Sequence, residues 1–250
     1  VVTKTATPYF TRTYSWTIDK YLDPLDDATK YGAPGDSLGF DYGVDVDATY
    51  TDSAWYITGT ITISNPDGFE DIILTDLTDE AGGVTCVVAD PVDPAVGYIV
   101  PAGSSLDVGY RCDFTSGASG TNTATATWDK DLYNTPTGSD SGTATYAFTT
   151  PTTEIDECID VSDTEYVTLG TVCAANAPRT FLYSLDWTAV AGTCTEYTNT
   201  ASFVANDTGA TDEDSVTVEV CSGAELTVSK TAAGTYTKTW TWDITKEYDG

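Results

Sequence analysis

One phrase occurs twice, and it constrains what the rest of the chain can be. Residues 4–22 read KTATPYFTRTYSWTIDKYL and residues 230–248 read KTAAGTYTKTWTWDITKEY. Without a gap, Lys4 matches Lys230, Thr11 matches Thr237, Arg12 matches Lys238, Thr13 matches Thr239, Trp16 matches Trp242, Ile18 matches Ile244 and Lys20 matches Lys246. The offset, from Lys4 to Lys230, is 226 residues. Self-similarity at a fixed offset is the mark of a repeat architecture. It predicts one full repeat over residues 1–226 and the opening of the next over 227–250, within a longer repetitive polypeptide.

The phrase itself reads as a strand. Tyr14, Trp16 and Ile18 alternate with Ser15, Thr17 and Asp19, and Trp240, Trp242 and Ile244 alternate with Thr241, Asp243 and Thr245. A period of two puts the large apolar groups on one face and the polar groups on the other. Those six aromatic and aliphatic residues are therefore expected to be core, or a strand shared or donated between repeats.

The same period governs the remainder. Thr is the commonest residue, with 47 copies, and Thr, Val and Tyr favour strands over helices. Residues 22–38 read as a polar loop. Phe40, Tyr42, Val44 and Val46 then alternate with Asp, and Trp55, Ile57, Ile61 and Ile63 share one face before the Asn65-Pro66-Asp67-Gly68 turn signal. Further strands are expected at 71–77, 82–88, 105–114, 121–129 and 142–150, a spacing typical of a β-sandwich. Residues 151–157 (PTTEIDE) read as a boundary, and a smaller unit follows over 151–226. In it Phe181, Tyr183, Leu185 and Trp187 share a face, and 225–231 is a candidate last strand running into the next repeat. Asn122-Thr-Ala-Thr and Asn199-Thr-Ala-Ser echo each other, which makes the second unit a shorter relative of the first. The fold class expected is all-β: sandwich 1–150, sandwich 151–226, and the first-strand motif of another repeat at 227–250.

Six cysteines accompany no His and no Met. An even count in a β-rich chain points to disulfides and an oxidising compartment. Cys86 and Cys112 are alone in the first unit and are paired on that ground. The second unit holds Cys158, Cys173, Cys194 and Cys221, which allow three connectivities. Cys158 and Cys173 flank a turn near Thr164–Val167 symmetrically, and a hairpin joining them leaves Cys194 for Cys221.

Charge and composition exclude several functions. With 39 acids against 10 bases the net charge is −29, a surface that repels nucleic-acid phosphates and anionic lipid heads. Nucleic acid and membrane insertion in this segment are therefore not expected. The absence of His removes Ser-His-Asp and Cys-His catalysis, and no phosphate-binding Gly-rich loop is present, so no enzyme is expected. No cofactor is implied. Calcium, which takes oxygen ligands, is the one metal with candidates: Asp23, Asp26 and Asp27; Asp76, Asp79 and Glu80; Asp212, Glu213 and Asp214. None follows the EF-hand spacing. Asn206-Asp207-Thr208 is the only N-glycosylation sequon. Lys4 or Lys230 is a candidate for an intramolecular isopeptide bond, with no partner legible in the sequence.

The phrases at 4–20, 50–66, 100–112, 121–128 and 200–221 together resemble those of large secreted bacterial surface proteins built from β-sandwich repeats. That resemblance spans nearly the whole chain. It implies immunoglobulin-like sandwiches in an extracellular array, as stalk, adhesin or filament, and brings no catalytic residues with it. The leading expectation is a disulfide-stabilised structural repeat of an extracellular filament or cell-surface stalk, whose partners are copies of itself. The competing expectation is an adhesin module that grips a carbohydrate or protein, with calcium if the acidic loops bind it.

Overall fold

The alternating sequence becomes seventeen strands and a single 3-10 turn at Ala174–Asn176. The computed structural model describes residues 1–250. In chain order the strands are β1 Val2–Lys4, β2 Thr7–Leu22, β3 Thr29–Gly32, β4 Ser37–Ser64, β5 Ile72–Ala81, β6 Val84–Thr85, β7 Val87–Val88, β8 Ile99–Val100 and β9 Ser105–Phe114. They continue as β10 Gly120–Trp128, β11 Ser139–Tyr146, β12 Thr153–Ile155, β13 Cys158–Asp163, β14 Val167–Cys173, β15 Arg179–Thr188, β16 Cys194–Ala205 and β17 Thr211–Ser222. The protein is all-β.

The organising element is the antiparallel ribbon of β2 and β4. The two alternating runs, Phe40 to Val46 and Trp55 to Ile63, lie on one strand of 28 residues, roughly 90 Å if fully extended. Where they meet, Phe10 of β2 faces both Ala54 and Trp55, and Ala54 adopts φ 54°. This is a β-bulge, which bends and twists a strand without ending its pairing. The bulge lets the two ends of β4 take different partners along one edge. Ser37–Val46 pairs with β15, and Trp55–Ser64 pairs with β9.

Two facing sheets cover the two ends of this spine. One is built from β5, β6, β8, β10 and β11; the other from β3, β13, β14, β16 and β17. The first encloses a core of Ile57, Ile61, Ile63, Leu74, Leu77, Val108, Tyr110 and Tyr146 with Val2. The second encloses Trp16, Phe40, Tyr42, Val44, Val46, Ile159, Val161, Phe203, Val218 and Val220.

Three expectations need correction. The division between cores does not fall at residue 150, because Trp16 and Phe40–Val46 pack with residues from 159 onward. Residues 151–157, expected as a boundary, are built into the spine sheet: β12 pairs in parallel with Thr11–Thr13 of β2, and Thr152 N–H donates to Phe10 O at 3.0 Å. The polar run 22–38 contains β3, which pairs in parallel with Glu219–Ser222 of β17. That pairing, rather than the candidate strand at 225–231, closes the second covering sheet. Period-two patterning fixes which side chains point inward. It does not say which sheet they meet.

Candidate functional site

The repeated phrase is the first place to look for function, and its two copies have different fates. In β2, Trp16 is buried, Tyr14 and Ile18 are half-buried, and the Trp16 indole N–H donates to Asp156 O at 2.7 Å. The Tyr14 hydroxyl donates to Glu154 at 2.8 Å, so the segment 152–156 clamps β2 from the side. Residues 223–250 form no strand and are exposed throughout. Trp240, Trp242 and Ile244 stand 66%, 88% and 90% open to solvent.

The residues kept in both copies include Trp16, Ile18 and two lysines that β1 and β2 send inward. Lys4 and Lys20 are buried at the side chain, and their counterparts Lys230 and Lys246 hold the same places in the phrase. Each buried lysine belongs to a polar centre inside one of the two cores. Sequence reading missed both centres.

In the first core, Lys4 Nζ donates to Asp79 Oδ1, and both side chains are fully enclosed. Asn122 Nδ2 donates to the same Asp79 oxygen at 2.9 Å and to Glu80 O at 2.9 Å. Asn122 Oδ1 is the one buried side-chain polar atom in the protein without a hydrogen-bond partner. The Tyr110 ring lies under Lys4 Nζ at 4.0 Å from its centroid. Gly59 makes this placement possible: a Cβ there would fall 2.1 Å from Thr5 O, so only glycine lets the β1–β2 connection press against β4.

In the second core, Lys20 Nζ donates to Asp163 Oδ2 at 2.7 Å and to the Tyr183 hydroxyl, which in turn donates to Asp163. Asn199 Nδ2 donates to that hydroxyl at 3.3 Å, and Thr164 Oγ1 donates to Asn199 Oδ1 at 3.0 Å. Burial pushes both lysines below the ordinary amine value, against the pull of their aspartates. Burial raises the Tyr183 hydroxyl, and its bond to Asp163 raises it further.

The two centres share a register. Asp79 of β5 stands opposite Ala124 of β10, diagonal to Asn122. Asp163 of β13 stands opposite Ala201 of β16, diagonal to Asn199. The Asn-Thr-Ala echo is thus one construction used twice, with the Asn side chain beside the Asp on the inward face. A legible signal existed. Asn122 is in phase with buried Ala124 and Ala126, Asp79 with Leu77 and Ala81, Asp163 with Ile159 and Val161, and Lys20 with Trp16. Polar residues in the inward phase of alternating strands mark such centres.

The structure joins the cysteines as Cys86–Cys112, Cys158–Cys173 and Cys194–Cys221, and no cysteine is free. The last two bridge directly opposed residues of β13–β14 and β16–β17. Each typically adds ~2–4 kcal/mol, mainly by restricting the unfolded chain. Cys86–Cys112 packs on the first centre, with Asn122 Nδ2 3.6 Å from Cys86 Sγ. Cys112 Sγ lies 3.9 Å from Asp79 Oδ2 but is oxidised and has no hydrogen to donate.

The acidic candidates do not converge. Asp26 spends one oxygen on Lys30 Nζ and the other on Asp41 N–H, each at 2.7 Å, which holds its carboxyl below the usual range. Asp23 caps Leu25 N–H, and Asp27 is exposed. Asp212 accepts from Glu213 N–H, while Asp214 accepts from Lys20 N–H at 2.7 Å and Ser215 N–H at 2.8 Å. Asp79 faces the core rather than Asp76. The two places where acids and sulfurs cluster, Asp79 with Cys86 and Cys112 and Glu219 with Cys194 and Cys221, use disulfide sulfurs, which are not thiolate ligands. Asn206 sits in an exposed turn with its carboxamide bonded to Glu157 and Cys158 N–H.

No protein-family model matches the chain, and no curated protein matches it. No helix is long and apolar enough to cross a membrane.

Proposed function

We propose that this chain is a non-catalytic structural repeat unit of an extracellular filament or cell-surface stalk, built from two immunoglobulin-like sandwiches. One observation carries the reading. The phrase that contributes to both cores at 4–22 recurs at 230–248 with Trp16, Ile18 and the two buried lysines kept and no strand covering them. A strand of that pattern is stable only when other strands cover it. The covering sheets belong to a further unit, either continuous with this chain or a separate copy that takes the segment as a donated strand.

The remaining features suit that role. Three disulfides fit an oxidising compartment and resist unfolding. The β2–β4 ribbon runs through both cores, so tension along the chain meets strands held on both sides. The charge of −29 keeps such a thread soluble and separate from its neighbours.

The test is the reduced, denatured mass of native material, read beside its sedimentation before denaturation. A mass many times 26.5 kDa identifies one giant repetitive chain. A mass near 26.5 kDa with large native particles identifies separate subunits joined through 230–248. A mass near 26.5 kDa with a monomeric native particle overturns the proposal.

A further inference from the structure

We infer that an apolar groove beside the first core is the socket for Leu226 of the preceding repeat, so that each first core is completed by the unit before it. The inference rests on the repeat reading, and it names the contact that joins one unit to the next.

The groove lies where β1 begins. Ile63, Ile72, Leu74, Val100, Trp128 and Pro136 line it together with Val1, and its volume is about 300 Å³. Trimming one buried leucine to alanine leaves a cavity of roughly 150 Å³, so the groove has room for a leucine. Its walls belong to the core: Ile63, Leu74 and Val100 are buried members of the first cluster. Core side chains with nothing against one face forgo the dispersion contacts that packing supplies.

The backbone gives the direction of approach. Val1 and Ser64 exchange both backbone hydrogen bonds, each at 2.8 Å, and Val2 stands opposite Ile63. The β1–β4 ladder is therefore still in register at Val1. In a continuous chain the Val1 nitrogen keeps its bond as an amide, and the residue before it comes opposite Asn65. Alternation sends that residue inward, because Val2 and Lys4 face the core while Val1 and Thr3 face out. Asn65 is buried and continues the inward phase of Ile61 and Ile63 on β4.

The repeat supplies the occupant. The offset that sets Lys230 on Lys4 also sets Val228 on Val2 and Leu226 on the place before Val1. Leu226, Val228 and Lys230 alternate with Thr227 and Ser229, so the leucine extends the inward row by one residue. Within its own unit Leu226 is 97% exposed. A leucine without a place in its own unit thus matches, in position and phase, a groove without a side chain in the next.

The resulting junction is short. Ser222 ends β17, and Gly223 O accepts from Gly192 N–H at 3.2 Å. Only Ala224 and Glu225 then separate the grip of one unit from the socket of the next. Gly223 and Leu226 are at most about 11 Å apart along such a tether, which leaves little freedom for one unit to turn on the other.

The test adds a leader to the 250-residue chain. Gly-Ala-Glu-Leu, the sequence of residues 223–226, is placed before Val1. Two further leaders serve as comparisons: Gly-Ala-Glu-Ala trims the leucine, and Gly-Ala-Leu-Glu keeps the composition but moves the leucine to the outward phase. In urea titrations the native leader is expected to lower the unfolding constant roughly ten- to hundredfold relative to either comparison, as burial of one leucine does. Its carbon-13-labelled leucine methyls are expected to show NMR contacts to the Trp128 indole. Equal stability of all three chains, or a leucine without contacts to Trp128, overturns the inference. Equal stabilisation by Gly-Ala-Leu-Glu also overturns it, because the groove would then not select the phase. None of these failures touches the filament reading, which the mass and sedimentation of native material decide. A monomeric native particle of one unit overturns that reading, and with it the assigned occupant, even where the leader docks.

Discussion

Trp16 and Trp242 hold the same place in the repeated phrase, yet Trp16 is 8% exposed and Trp242 is 88% exposed. The alternation around them is the same, and so are the lysines four residues on. What differs is company. β2 is paired along its length with β4, clamped by β12 and covered by β16 and β17, whereas 230–248 meets no sheet. Strand propensity and amphipathic pattern are thus necessary for this element and insufficient. The free energy comes from burial against partners, not from the strand alone.

That contrast can be broken first by truncation. Removing residues 1–22 takes a strand from both cores and is expected to abolish cooperative unfolding, while removing 227–250 is expected to leave the thermal midpoint unchanged. Equal losses from the two truncations would show that the copy is docked in solution.

Single residues sharpen it. Trp16→Ala removes a buried indole and its hydrogen bond and should cost about 3–5 kcal/mol, whereas Trp242→Ala should cost nothing measurable by denaturant titration. Lys20→Ala leaves Asp163 enclosed without its cation and should also cost about 3–5 kcal/mol, against no effect for Lys246→Ala. If each pair of variants unfolds alike, the environments assigned to the two copies are wrong.

Acid gives a smaller effect. Burial alone would raise the Asp156 carboxyl, but its bonds from the Thr208 hydroxyl and the Thr208 and Asp207 N–H groups hold it below its ordinary 3.8. A group depressed in the folded state stabilises above its unfolded value and loses that contribution as pH falls through the folded one. Stability should therefore decline below pH 3.8, and Asp156→Ala should flatten that limb in a pH series of urea titrations. A variant curve parallel to wild type would show that the Asp156 carboxylate does not hold the Asp207–Thr208 turn. The smallest effect belongs to Arg12, bonded to Asp52 at 2.7 and 2.8 Å on a partly exposed face. Arg12→Ala should cost about 1 kcal/mol or less and lose its effect in high salt, with Lys238→Ala silent.

Much of the architecture was legible because its signals are local. Alternation at 105–114 and 121–129 needed only a period of two to become β9 and β10. Cys158 and Cys173 flank a turn, and a hairpin across that turn makes them cross-strand neighbours. The polar centres were less visible. Asn122 and Asn199 read as an echo, but an Asn in a strand looks the same in sequence whether its side chain meets water or a buried aspartate. The phase of neighbouring Ala residues was the available clue.

The sequence by itself determined that this chain is all-β, which faces of its strands are apolar, and that its opening phrase recurs. These depend on the alternation of side chains along an extended backbone, a property of each segment alone. Only the tertiary structure decided that two cores share one spine, that residues 29–32 and 153–155 are strands, and that lysine, aspartate and asparagine from distant segments meet in each core. Those facts rest on register and sheet partnership between residues up to nearly two hundred positions apart, as in the pairing of Thr29 with Glu219. No short stretch of sequence encodes such a choice, because the burial it achieves exists only when both partners are in place.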